Sequence, residues 1–522
     1  MTYNRDRKCI YLKIFVIIFI SFLCTISISV SGIHIKTVSE GLLADNNCYI
    51  GAYLGGNQGS NGSNYYKSSR DGDNPYETQI MDNPSQYGET TDGSEEDIYN
   101  RIDTGITTFR NGMNAISPGS GNSQTLFSRY YRMDVYPDND NGKVKYKECP
   151  GPSYWIEKVI KQGGIPVVVI DPYSLLNNGV IDLSATNSNG KTGIEVLQDL
   201  AGKSKQISDA NGGATVLIWF AHEFNAHNEV NPEKNDYIDS ANKQAFRRAF
   251  RDAYTTIHAY GGPNVQIVWG GNECGNVDSR IRYWPGKDDN MNDLPNDYVD
   301  WVGMTWYRTE SSGAKTLDDL KDFYNFYAKN HPLIFLETSA DAHNGESSQL
   351  SLKNDQVSYL YNPVNLQQYP NIKGIIWFNV AKEGEFGTKG SGTGPFKIQN
   401  FLLPDGVYTN NGADIPGNIG SISLSGKMMS ALYPGLADNS YFVHLSNAEL
   451  LKAFKNSFGV PTDPNGDQLF EDVNGNGVYD FSDVVKYYQN MDWIPSNEPI
   501  HLFDYNHNGR IDYDDLVLLF QN

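Results

Sequence analysis

Apolar runs of strand length recur along most of this chain, separated by polar turns or by segments of helical period. In order they are NCYIGAYL, TGITTFRN, GIPVVVIDP, ATVLIWFAHE, VQIVWGGN, DWVGMTWY, PLIFLET and IKGIIWFN, lying within residues 47–379. Most are apolar at consecutive positions and rich in β-branched and aromatic residues, which is how strands covered on both faces read. NKQAFRRAFRDAYTTIHAYG, at 242–261, instead repeats Phe246, Phe250 and Tyr254 every four residues before Gly261-Gly262-Pro263, and so predicts a helix. Eight strands alternating with helices predict an α/β fold, a (β/α)8 TIM barrel over 45–435. A doubly wound open sheet is the alternative. No G-x-G-x-x-G follows a strand, so its dinucleotide-binding form lacks its signature.

Ahead of the first strand, Arg5, Arg7, Lys8 and Lys13 precede an apolar run from Ile14 to Val30, the layout of an export signal. A leader over 1–44, cut between 31 and 44, is expected, with an uncleaved anchor as the alternative. Either way the rest of the chain is exported, secreted or held at the cell surface. Beyond the leader stand Cys48, Cys149 and Cys274, enough for one disulfide at most and without metal-type spacing. The formal charge of -21 over 522 residues shows no basic stripe, which excludes nucleic acid as a partner. The polar stretch from Gly55 to Glu96 follows the first strand and is expected on the substrate side of the barrel.

The chemistry gathers at two strand ends. The fourth run ends in His222-Glu223 and the seventh in Glu337, where barrel strands deliver catalytic groups to the C-terminal mouth. Two carboxylates so placed suit glycosidic cleavage: one donates a proton to the leaving oxygen while the other meets positive charge developing at the sugar carbon. The acid has to keep its proton near neutral pH, which burial or a neighbouring negative charge achieves, whereas the nucleophile needs hydrogen bonds to its charged form. Glu273, after the fifth run, is the rival carboxylate. A lone glutamate after a buried strand is more often a structural ion pair.

FAHEFN, NDYVDWVGMTWY, PLIFLET and IKGIIWFN together resemble glycoside hydrolase family 26, the β-mannanases and related endo-β-glycanases of retaining mechanism. The resemblance implies Glu223 as general acid and base and Glu337 as nucleophile. It implies His222 orienting the site beside the acid, Tyr307 holding the nucleophile, and Trp377, with Trp306, as aromatic surface beneath a sugar. Core packing is the alternative for these aromatics. The implied function is a secreted endo-β-glycosidase acting on plant-type polysaccharide, β-1,4-mannan first. A β-glucanase or β-xylanase on the same fold and a carbohydrate-binding surface protein without turnover are the alternatives. Two departures alter the pocket: Ala226, His227 and Asn228 follow the acid where a mannanase carries Gly and Trp, and the third strand ends in Asp171-Pro172-Tyr173 where a histidine is common.

The tail repeats itself. DVNGNGVYDFSD (472–483) returns as DYNHNGRIDYDD (504–515), 32 positions later. Each supplies side-chain oxygens at loop positions 1, 3, 5, 9 and 12 with glycine at 6, the spacing of a calcium loop. The expected ligands are Asp472, Asn474, Asn476, Val478 and Asp483, then Asp504, Asn506, Asn508, Arg510 and Asp515, the position-7 residues Val478 and Arg510 offering backbone carbonyls. The duplicated loop resembles a dockerin, a paired EF-hand module that folds around calcium and docks on a cohesin. This implies a structural calcium cofactor, none for catalysis, and a cohesin-type or cell-surface protein partner. The module is expected over 466–522, joined by a linker over 436–465.

Overall fold

In the computed structural model the described residues are 32–53, 119–133, 152–225 apart from 173–174, 178–179 and 188, 241–272, 280–308, 316–340, 355–378, 381–383, 397–399 and 441–521, with 106–107, 109–111 and 113–114. The leader run, the 55–96 stretch, Tyr173, Glu273, Cys149 and Cys274 lie outside them. Among the described residues no helix is long and apolar enough to cross a membrane.

Eight parallel strands close a barrel: β1 (Tyr49–Tyr53), β2 (Gln124–Arg132), β3 (Ile165–Asp171), β4 (Val216–Phe220), β5 (Val265–Asn272), β6 (Trp301–Arg308), β7 (Leu333–Ala340) and β8 (Ile372–Phe378). Each pairs with the next, and β8 returns to β1. Helices α1 (Pro152–Lys161), α2 (Gly193–Ala210) and α3 (Ala241–Gly261) cover the outside. Side chains alternate along the strands except at bulges. One set, including Leu126, Val167, Val169, Leu217, Trp219, Val268, Ile334, Leu336 and Ile376, fills the barrel. The other, including Ile170, Ile218, Phe220, Trp269, Met304 and Phe335, meets the helices.

Seven of the eight expected strands are present. The second is not: residues 106–107 and 109–111 are helical, and the strand at that place is Gln124–Arg132. Ile106, Phe109 and Met113, three and then four apart, form the buried face of that helical segment, a 3.6 period hidden by the β-branched residues around it. β2 reads as non-strand because Ser128, Tyr130 and Arg132 are polar or amphipathic residues on its inward face.

Residues of the chain before β1, inside the 31–44 window where the leader is expected to be cut, pack against the barrel. Ile35 and Leu42 pack into the interior cluster, and the Thr215 N–H donates to Ile33 O (2.9 Å) beneath β4. Residues assigned to the leader up to 44 therefore form the barrel's floor.

The expected linker is built into both bodies. Val443 N donates to Cys48 O (3.1 Å) beside β1 and Leu445 N to Asn122 O (3.0 Å), while Leu451 and Phe454 belong to the core of the C-terminal module with Val473, Tyr487, Leu502, Phe503 and Leu519. That module contains α4 (Phe481–Asn490) and α5 (Tyr513–Gln521), one helix after each loop. It is fastened to the barrel at Asn111, whose side chain donates to Glu498 O (2.8 Å) and Pro495 O (3.1 Å) and accepts from Ile500 N (3.1 Å). Cys48 is buried and unpaired, and burial pushes its thiol up to about 12.

Candidate active site

The two glutamates meet at the mouth because of two local irregularities. On β7, Leu336 is an extra residue: Met304 pairs with Phe335 but Thr305 pairs with Glu337, and on the other side Ile375 pairs with Phe335 but Trp377 with Thr338. Strict alternation would send Glu337 to the helix side with Phe335. The bulge turns it inward, beside Thr305. Gly303 on the neighbouring β6 and Gly270 one strand further on, on β5, leave room for Leu336, whose Cδ1 would stand 2.6 Å and 2.1 Å from Cβ atoms added there.

After β4 the backbone turns through Ala221 (φ 59°) and Glu223 (φ 48°), both in the left-handed region. For residues other than glycine this costs on the order of 1–3 kcal/mol each, and such strain clusters at functional sites. The turn is tied to β5. Asn225 donates to Asn272 O (2.9 Å) and accepts from Asn272 N (2.6 Å), in space that a Cβ on Gly271 would fill. The buried Arg280 also donates to Asn272 O.

Glu223 Oε1 accepts two hydrogen bonds, from Asn272 Nδ2 (2.7 Å) and Thr305 Oγ1 (2.6 Å). Both of these hydrogen bonds fall on Oε1 and neither on Oε2. Glu337 is buried, and the Tyr307 hydroxyl donates to its Oε2. Burial, and then the charge of an ionised Glu223, hold the Tyr307 phenol well above its ordinary range, so it remains a donor. Thr305 touches Glu223 and pairs with Glu337 across the strands, which sets the two carboxylates side by side.

His222 is half-buried, edge-on to Tyr130 (5.1 Å between centroids) and Trp219 (5.8 Å). Tyr130 meets Tyr53 edge-on (5.4 Å), Tyr53 stacks on Phe378 (5.1 Å), and Phe378 meets Tyr307 edge-on (6.1 Å). An aromatic rim thus runs around the inner mouth from His222 to Tyr307.

Trp306 and Trp377 are not part of it. Both are buried in the layer between barrel and helices, Trp306 stacked on Phe335 (5.2 Å) and Trp377 with Tyr361 (6.4 Å). The expectation that they lie beneath a sugar is corrected by strand alternation: Tyr307 and Phe378, one residue on, face inward. Sequence reasoning also missed Asn272, Thr305, Tyr53 and Tyr130. Inward parity along VQIVWGGN and DWVGMTWY would have found the first two.

If Glu337 acts as the nucleophile, Tyr307→Phe removes one donor from its charged form. A hydrogen bond to a charged group contributes roughly 1.5–3 kcal/mol, so kcat/KM should fall about 10- to 100-fold. Because the lost bond favoured ionised Glu337, its proton binds more readily, and the acid limb of the rate profile should move to higher pH. A pH profile checks both; an unmoved acid limb would remove Tyr307 from this role.

The tail loops form as two matching turns. Asp472 accepts from Asn476 N (3.0 Å) and Gly477 N (2.8 Å); Asp504 accepts from Asn508 N (3.0 Å) and Gly509 N (2.7 Å). Asn474 N donates to Asp483 (2.9 Å) and Asn506 N to Asp515 (3.0 Å). Asp472, Asp483, Asp504 and Asp515 are buried. Burial raises the proton affinity of Asp483 and Asp515, and the charges of Asp472 and Asp480, or Asp504 and Asp512, add to it. Such all-oxygen, like-charged sets fit a hard cation. The side chains of Asn476 and Asn508 and the exposed Val478 and Arg510 complete each turn, with Asn476 Oδ1 accepting from Val478 N and Asn508 Oδ1 from Arg510 N.

No family model and no curated protein matches the sequence. Solved structures to which the chain is similar include a Bacillus subtilis mannanase (16% identity over 64% of this chain and 81% of that one, TM-score 0.35). They also include a GH26 β-mannanase from Bacteroides ovatus (9%, 77% and 94%, 0.38) and a β-mannanase from a symbiotic protist of the termite Reticulitermes speratus (12%, 79% and 97%, 0.37). The fold assignment stands on the closed strand pairing itself.

Proposed function

We propose that the chain is a secreted, retaining endo-β-glycosidase of the family 26 type, acting on a plant-type polysaccharide with β-1,4-mannan first among substrates. The observation that carries this reading is the pair of differently held carboxylates: Glu337 bonded by the Tyr307 hydroxyl, and Glu223 bonded through one oxygen by Asn272 and Thr305. Glu337 attacks the anomeric carbon while Glu223 Oε2 protonates the departing glycosidic oxygen. Glu223 then takes a proton from water, which cleaves the glycosyl–Glu337 ester. The aromatic rim offers apolar faces to sugar rings.

The N-terminal basic and apolar segments support export. For the tail we propose structural calcium in both loops, Asp472, Asn474, Asn476, Val478 and Asp483 in one and Asp504, Asn506, Asn508, Arg510 and Asp515 in the other, with a cohesin-type or cell-surface partner. An exposed apolar face repeats with the loops: Phe481, Val485 and Tyr488 on α4, and Tyr513, Val517 and Phe520 at the same spacing on α5. Exposed aromatic faces of this kind mark interaction surfaces.

Hydrolysis of mannan, glucomannan, xylan and mixed-linkage glucan, with the first anomeric proton followed by NMR, tests the reading. Mannan should be cut fastest with retained configuration. Inversion would reject the mechanism, and no hydrolysis of any glycan would favour a binding protein.

A further inference from the structure

A nine-residue loop, 463–471, precedes the first repeated loop. It is closed by a bridge in which Thr462 N donates to Asp472 O (3.0 Å) and Asp472 N to Thr462 O (3.2 Å). Within it Asp463, Asp467 and Glu471 each bring a carboxylate oxygen within 4.8 Å of the others. Oxygens so spaced can touch one ion at calcium–oxygen distances of about 2.3–2.6 Å.

An acidic cluster alone could be a solvated turn, but Glu471 makes this one different. Its side chain is 2% exposed, and its Oε2 is buried without a hydrogen-bond partner. A buried carboxylate oxygen left without a donor is costly. The other oxygen, Oε1, accepts from Asn465 Nδ2 (2.7 Å), which also donates to Asp467 Oδ2 (3.1 Å). The positive edge of one amide is thus what stands between two carboxylates.

We propose that Asp463, Asp467 and Glu471 form a third cation site, for a hard divalent ion such as calcium, distinct from the two repeated loops. The ion takes Glu471 Oε2 as a ligand and replaces the Asn465 amide between the carboxylates. The spacing differs from that of the repeats, with acidic groups at loop positions 1, 5 and 9 and none at 12, so it does not follow from them. It abuts the first repeat, because Thr462 Oγ1 donates to Asp472 Oδ2 (2.6 Å). The site is independent of the hydrolase reading.

Calcium bound per full chain, counted by elemental analysis after gel filtration in calcium buffer, tests it. Asp467→Asn is the main variant: Asp467 is exposed, and asparagine keeps the oxygen that accepts from Leu469 N (2.8 Å). It should lose one ion relative to the native chain, as should Glu471→Gln, while Asp504→Ala removes the ion of its own loop and leaves this one. An unchanged count in Asp467→Asn overturns the proposal. So does a count that falls only together with helical circular dichroism, since the residues would then serve folding alone. Repeating the count with magnesium reports whether the ion must be calcium-sized.

Discussion

Glu337→Ala is expected to lower polysaccharide hydrolysis by roughly four to six orders of magnitude, the scale of loss when a covalent nucleophile is removed. Glu337 sits inward at the end of β7, bonded to Tyr307 and paired with Thr305, and Glu223, the carboxylate tied to the same threonine, is committed to Asn272 and Thr305. Alanine opens space where the carboxylate stood. Azide entering that space should restore turnover and give the product of opposite anomeric configuration, because attack then occurs without the covalent step. Glu223→Ala should behave differently. Its loss removes proton donation, so polysaccharide cleavage collapses, but aryl glycosides with good leaving groups should still glycosylate Glu337 and accumulate the ester. Equal loss on both substrates would take Glu223 out of the acid role, and near-native activity of Glu337→Ala would reject the assignment altogether.

The sequence made seven strands and both glutamates legible because buried parallel strands are apolar at almost every position and stop abruptly. β2 was not legible, since its inward side chains near the mouth, Ser128, Tyr130 and Arg132, are polar or amphipathic and break the run. The same physics hid the partners of Glu223. Asn272 and Thr305 are small polar residues inside apolar strands, and only inward parity distinguishes them from residues that satisfy the backbone. Trp306 and Trp377 show the opposite error. A large aromatic at a strand end suggests a sugar platform, but one step of alternation separates the mouth from the helix layer. Nor could alternation alone have placed Glu337. It reaches the mouth through the bulge at Leu336, which strand pairing reveals and residue type does not.

Position 471 belongs with these cases. The repeat draws the eye to Asp472 and Asp504, while of the acidic residues just before it Asp463 falls in the expected linker and Asp467 and Glu471 in the module without any pattern to single them out. Burial separates them: Asp467 is exposed, while Glu471 is buried in a small module where an unpaired carboxylate oxygen has no structural reason to be.

Withdrawing calcium from the full chain is expected to unfold the module from Leu451 onward while the barrel stays folded. The module's buried core is small, a cluster around Phe454, Tyr487, Leu502 and Phe503, and small cores supply little net stability. Against it stand Asp472, Asp480 and Asp483 in one loop and Asp504, Asp512 and Asp515 in the other, like charges drawn together with several of them buried. An ion held at a hundred times its dissociation constant contributes about 2.7 kcal/mol per site, so two loops contribute on the order of 5 kcal/mol, comparable with the whole stability of a small domain. Scanning calorimetry should therefore resolve two transitions in chelator, the lower one falling by roughly 20 °C or more and the barrel's hardly moving. Near-ultraviolet circular dichroism of Trp493, packed on Phe454 at 5.0 Å, should follow the lower transition. The whole chain is the right sample, because a fragment starting at 466 would lack Leu451 and Phe454. Asp483→Ala and Asp515→Ala should each reproduce part of the loss in calcium, since each removes a buried ligand together with the acceptor of a loop N–H bond. A transition that chelator leaves in place would mean that the matching turns hold themselves together without an ion, and the calcium assignment would fall for both loops.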